Sequence, residues 1–189
     1  VTTYLPGSFF LARISGVTGY LIQLGQAIAG DGSRWTHAGI VLDADGTVLE
    51  AEPGGARIAN LSEYAGRPLL ISDAPVQTYV AGLNSGTPNG SIASAALFGQ
   101  VAIRKTIVTE AQKLVGVPYS ALDYLALALL HLHLPSSWVR NRVEWSGHMI
   151  CSQLVDAIYE RAGLHLFTDG RLPGDVAPAD LAAYAEDYR

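Results

Sequence analysis

Trp35-Thr36-His37-Ala38-Gly39-Ile40-Val41-Leu42, then Asp43-Ala44-Asp45-Gly46, then Thr47-Val48-Leu49-Glu50-Ala51-Glu52 is the stretch that decides the fold. Two runs rich in β-branched and apolar residues flank an Asp-Gly turn signal, the pattern of a β-hairpin. With Asp45-Gly46 as a two-residue turn, Val41 pairs with Glu50 and Gly39 with Glu52. Side chains alternate between the faces of a strand, so His37, Glu50 and Glu52 then project together. Ladder counting puts Glu52 nearer His37 than Glu50. A carboxylate beside an imidazole fixes its tautomer and stabilises the imidazolium, so this face offers two members of a catalytic set. The competing reading is a pair of solvent-facing glutamates on an edge strand.

Working outward, Ser8 to Ile14 reads as a strand, and Gly19 to Ala29, with Tyr20, Leu21, Leu24 and Ile28 near helical spacing, as a helix. Downstream, Ile71 to Ala81 and Gln100 to Arg104 read as further strands. Between them Ala81 to Gly99, rich in Gly, Ser and Asn, reads as a loop excursion. Helical patterns follow at Thr109 to Val115, Ala121 to His133, Cys151 to Ala162 and Pro178 to Tyr184, broken by Gly116-Val117-Pro118, Pro135 and Gly163. Strands first and helices later predict an α+β fold, an antiparallel sheet packed against helices, in a single domain over residues 1–189.

Composition narrows the function. The chain is 49% apolar and 15% charged, enough to bury a sizeable core. Its formal net charge is -5, with 12 Lys and Arg scattered rather than clustered, which argues against nucleic acid as a partner. The longest apolar run, Tyr124 to Leu130, is far short of the roughly 20 residues of a spanning helix, and no basic stretch leads into an apolar one at the start. The expectation is a soluble chain without transmembrane segment or signal peptide, made in the cytoplasm, with a phage particle or a lysis event as a route to the cell wall.

Cys151 is the single cysteine, which rules out an internal disulfide. In Met149-Ile150-Cys151-Ser152-Gln153-Leu154-Val155-Asp156-Ala157-Ile158-Tyr159, residues 154, 155 and 158 share one helical face and Gly163 supplies a stop. Cys151 therefore stands at a helix N-terminus, where unpaired N–H groups favour a thiolate and can hold an oxyanion. The ordinary alternative is a small buried thiol. A nucleophilic thiolate needs a proton acceptor, and the five histidines are His37, His131, His133, His148 and His165. His131 and His133, two apart at the end of an apolar helix, point in different directions; His165 follows a helix stop; His148 lies in a turn. His37 lies within a strand and is the better held candidate base. A metal site from Cys151 with His131, His133 or His148 lacks recognisable ligand spacing, and no cofactor is called for.

So assembled, the chain resembles the circularly permuted papain-like hydrolases of the NlpC type, in particular the YiiX-like branch, in which the histidine strand precedes the cysteine helix. The matching pieces are Leu5-Pro6-Gly7, Thr36-His37-Ala38-Gly39-Ile40-Val41, Leu49-Glu50-Ala51, Pro118-Tyr119-Ser120 with Asp123-Tyr124, and Cys151-Ser152-Gln153-Leu154-Val155. The resemblance implies a thiol peptidase or amidase with a Cys151, His37 and Glu50 triad, Glu52 being the alternative carboxylate, and with Tyr119 and Ser152 beside the substrate. It implies a peptide or acyl substrate, with amides of peptidoglycan stem peptides foremost. Two departures concern the branch: members carry an acidic residue where this chain has Ser8, and often a glutamate where it has Gln153. Two rival functions stay open. One is lipid acyl transfer by the same Cys and His, with Leu122 to Leu134 lining an acyl site. The other is a structural or adhesive virion part with a dormant site.

Overall fold

The computed structural model describes residues 3–14, 33–52, 55–84, 92–118, 151–171 and 176–187, and of residues 84 and 92–95 the backbone alone. Among them lie five strands: β1 (Phe9–Ala12), β2 (His37–Val41), β3 (Thr47–Glu52), β4 (Gly55–Asn60) and β5 (Leu69–Ser72). They form one antiparallel sheet in the order β4-β3-β2-β1-β5. A 3-10 helix, Leu61–Tyr64, follows β4, and four α-helices complete the described chain: α1 (Ala74–Asn84), α2 (Ile92–Gln112), α3 (Cys151–Arg161) and α4 (Pro178–Asp187). The expected α+β class with an antiparallel sheet is what forms.

The hairpin forms as β2 and β3, but its loop is all of Asp43-Ala44-Asp45-Gly46 rather than the last two residues. The Asp43 carboxylate accepts from the Asp45 N–H at 3.0 Å and the Thr47 N–H at 2.9 Å, and the Leu42 N–H donates to the Thr47 carbonyl at 2.7 Å. Local bonding of this kind is what makes Asp a turn residue. Gly39 consequently pairs with Glu50 and Val41 with Val48, which corrects the expected register by two residues. A slip of two preserves face parity, so His37, Glu50 and Glu52 still share a face.

Both faces of the sheet are covered, which is why its strands read as nearly continuous apolar runs. On one face Phe9, Leu11, Ala38, Ile40 and Leu49 pack with Ile103 and Ile107 of α2 and with Leu154, Val155 and Ile158 of α3. On the other, Phe10, Ala12, Val41, Val48 and Ala59 pack with Leu61 and Tyr64 of the 3-10 helix.

Two expected strands are corrected. Ile71 to Ala81 is strand only to Ser72; from Ala74 it is helix, because Asp73 starts one: its carbonyl accepts from the Val76 and Gln77 N–H groups at 3.1 and 3.0 Å. Pro75 in the first turn fits that start, since its missing N–H has no helical partner to lose. Gln100 to Arg104 lies wholly inside α2, where Ile103, Ile107 and Ala111 recur every four residues and are buried. The expected loop Ala81 to Gly99 is helical at both its described ends, in α1 and α2. The expected helices Gly19 to Ala29 and Ala121 to His133 lie outside the described residues. Among the described residues no helix is long and apolar enough to cross a membrane.

A part-buried ion pair ties the sheet to α2. Arg104 donates to both carboxylate oxygens of Asp73, at 2.7 and 2.6 Å, and to the Pro6 carbonyl at 2.9 Å. Ser8 donates to the same Asp73 at 3.2 Å, so the β5–α1 junction is also tied to the segment that opens β1. Arg104→Met would leave Asp73, 12% exposed, without its counter-charge. Urea unfolding is expected to show a loss of about 3 kcal/mol.

Candidate functional site

His37 is the first residue of β2 and is 3% exposed. Its Nε2 lies 3.0 Å from Oε2 of Glu50, which is fully buried. Glu50 stands opposite Gly39, diagonally from His37, a separation that long side chains bridge on a sheet face. The absent side chain of Gly39 leaves room for Phe10, which packs beside His37: a Cβ there would lie 2.5 Å from both the Leu49 carbonyl oxygen and Cε1 of Phe10. Of the two candidate glutamates, Glu50 is therefore the one hydrogen-bonded to His37. Glu52, 38% exposed at its side chain, reaches Arg57 Nε at 3.4 Å instead.

Cys151 is the first residue of α3 and is 1% exposed. Its helix buries every residue through Tyr159 and ends as the sequence predicts: Gly163 takes a φ of 84°, the Leu164 N–H donates to the Tyr159 carbonyl at 2.8 Å and the Gly163 N–H to that of Glu160 at 2.9 Å. This paired closure is a Schellman motif. The Cys151 side chain hydrogen-bonds His37, and with Nε2 engaged by Glu50 it is Nδ1 that is available to the sulfur. Burial alone would push the imidazole pKa down. The Cys151 and Glu50 hydrogen bonds and charges outweigh it, and His37 is raised to about 10. For Glu50, burial pushes upward, and His37, Tyr64 and Arg57 together hold the carboxyl below its ordinary value.

Three contacts at this site were not anticipated from the sequence. Tyr64 donates its hydroxyl to Glu50 Oε2 at 2.5 Å and stacks on the His37 ring, with centroids 5.9 Å apart and planes 25° apart. Arg57, paired with Glu50 across β3 and β4, brings a guanidinium nitrogen within 2.7 Å of Glu50 Oε1 and 3.0 Å of Glu63 Oε2. The contact to Oε1 is close in distance but off hydrogen-bonding alignment, an ion pair rather than a directed bond. Phe10 meets the His37 ring edge-on at 6.0 Å. A sequence signal for Tyr64 does exist: Asn60-Leu61-Ser62-Glu63 is a capping box, with the Asn60 side chain accepting from the Ser62 N–H and that of Glu63 from the Asn60 N–H.

The remaining expected residues are placed as follows. Ser152 is buried and donates its hydroxyl to the Val176 carbonyl at 2.6 Å, so it fastens α3 to the segment before α4. His165 is exposed. Tyr119, His131, His133, His148 and Leu122 to Leu134 lie outside the described residues. The ligand atoms of His37, Glu50 and Glu52 fall within 4.8 Å of one another. Arg57 already supplies the positive charge that a cation would bring to both glutamates. No protein-family model matches the sequence, and a search of curated proteins returns no match.

Proposed function

We propose that the chain is a cysteine hydrolase that cleaves amide bonds through Cys151, His37 and Glu50, in a circularly permuted papain-like arrangement. The observation that carries this reading is one buried line of contacts: a thiol at a helix start, an imidazole bonded to it, and a carboxylate on the far ring nitrogen. Nucleophile, base and orienter in that order are what acyl transfer requires. His37 accepts the thiol proton and the sulfur attacks the amide carbonyl carbon. The oxygen then gathers negative charge at the N-terminal end of α3, where the helix dipole is positive. As the C–N bond breaks, the imidazolium returns its proton to the departing amine. Water, deprotonated by His37, releases the acid and restores the thiol.

The substrate class we assign is peptide amides of the bacterial cell wall, following the resemblance to NlpC-type hydrolases. The wild-type protein and Cys151→Ala, incubated with purified wall fragments, test it: new amino termini are expected with the first and not with the second. Equal release by both would end the proposal.

A further inference from the structure

We propose that Tyr64 is a positioning residue for this thiol chemistry and acts through Glu50, its hydroxyl fixing the carboxylate oxygen that holds His37 and its ring fixing the plane of the imidazole. The inference rests on the Cys151 and His37 reading above. The Tyr64 hydroxyl and the His37 ring nitrogen converge on one atom, Glu50 Oε2, at 2.5 and 3.0 Å, while Arg57 stands 2.7 Å from the other oxygen. Charges on both sides thus leave the carboxylate a single orientation. Imidazole rotation about χ2 is intrinsically broad, so neighbours must choose the ring plane. Tyr64 covers it as a stack, and Phe10 closes on both rings, at 6.0 Å from His37 and 5.4 Å from Tyr64.

Tyr64 is itself held independently of His37. Its 3-10 helix begins at the Asn60 cap, and the Leu61 N–H donates to the Gly46 carbonyl at 2.9 Å, which anchors it to the β2–β3 loop. The titratable and charged groups around Glu50 are His37 from β2, Arg57 from β4 and Tyr64. Glu52 and Glu63 bear on Arg57, and Cys151 of α3 lies beyond His37. Tyr64→Phe removes one hydroxyl from this set while keeping the ring and every formal charge.

Because Cys151 is the single cysteine, ultraviolet thiolate absorbance referenced to Cys151→Ala reports on it alone and needs no substrate. Losing a charge-assisted donor leaves Glu50 easier to protonate and the imidazolium less supported, so the thiolate forms at higher pH. The midpoint in Tyr64→Phe is expected to rise by about one pH unit. In a Glu50→Gln background the same substitution is expected to move it by no more than about 0.3 unit. An equal rise in both backgrounds, or a lowered melting temperature with no movement of the midpoint, assigns Tyr64 to packing and overturns the proposal. A wild-type midpoint like that of a free thiol, about 8.5, removes the paired-thiol reading and this one with it. Inactivity toward wall peptides with the midpoints moving as expected removes the substrate assignment alone.

Discussion

Glu50→Gln is expected to slow amide turnover by on the order of 10²- to 10⁴-fold while leaving the fold in place. The substitution keeps shape but removes the negative charge that faces His37 Nε2 at 3.0 Å. The Gln side chain has two ways to sit. With its amide nitrogen toward His37 it cannot accept the ring N–H, and with its oxygen there it accepts without a charge. Either way the imidazolium is less supported when it forms. The same variant has a second readout that needs no substrate. His37 is raised from 6.5 to about 10, so its contribution to stability is complete below pH 6.5 and is lost as the pH climbs through about 10. Glu50, lowered from 4.5, contributes fully above that value and loses its contribution as the pH falls through its lower folded value. The pair therefore supports the fold most between about pH 4.5 and 6.5. Urea midpoints of the wild type are expected to decline from pH 6.5 toward 10, and those of Glu50→Gln to decline less, with the part owed to Cys151 remaining. Parallel curves would show that Glu50 does not hold the proton on His37.

Gly39→Ala is expected to cost about 3 kcal/mol of stability, an unusually large effect for one added methyl. The new Cβ would meet a backbone oxygen, Leu49 O, at 2.5 Å and the Phe10 ring at 2.5 and 2.9 Å. The oxygen belongs to the β2–β3 ladder and cannot retreat without breaking it. Phe10 is fully buried and wedged against His37 and Tyr64, so its displacement carries into the site. Thermal unfolding followed by circular dichroism gives the stability, and the thiolate titration gives the damage to the site. A melting temperature unchanged from wild type would mean that the strands part more easily than their packing indicates.

The hairpin was legible because alternation and a turn signal agree over the whole of residues 35 to 52. Its register was not, because Asp43 bonds Asp45 and Thr47 through its side chain, and turn length cannot be counted from Asp-Gly alone. Parity survived the error, so the face shared by His37, Glu50 and Glu52 was legible when their partners were not. The strands expected at Ile71 to Ala81 and Gln100 to Arg104 were misread from their β-branched residues. Over its five residues Gln100 to Arg104 looks like strand, and only the longer spacing of Ile103, Ile107 and Ala111 reveals helix. Tyr64 and Arg57 went unnoticed for a different reason. Arg57 reaches Glu50 from β4 and Tyr64 from the 3-10 helix after it, a stretch that contained no element in the sequence reading, so nothing placed them near the hairpin.

Tyr159 of α3 donates to the Gly7 carbonyl at 2.8 Å, across a sequence separation of 152 residues. The helix that begins at Cys151 is thus latched to the segment that opens β1, and the latch cannot close before both have been synthesised. Contacts this distant are made late, since loop closure must precede any gain from them. During translation His37, Glu50 and Glu52 emerge well before Cys151. On the proposed reading, a nascent chain therefore holds its base and orienting acid before it holds its nucleophile, and the thiol chemistry waits on the last third of the chain.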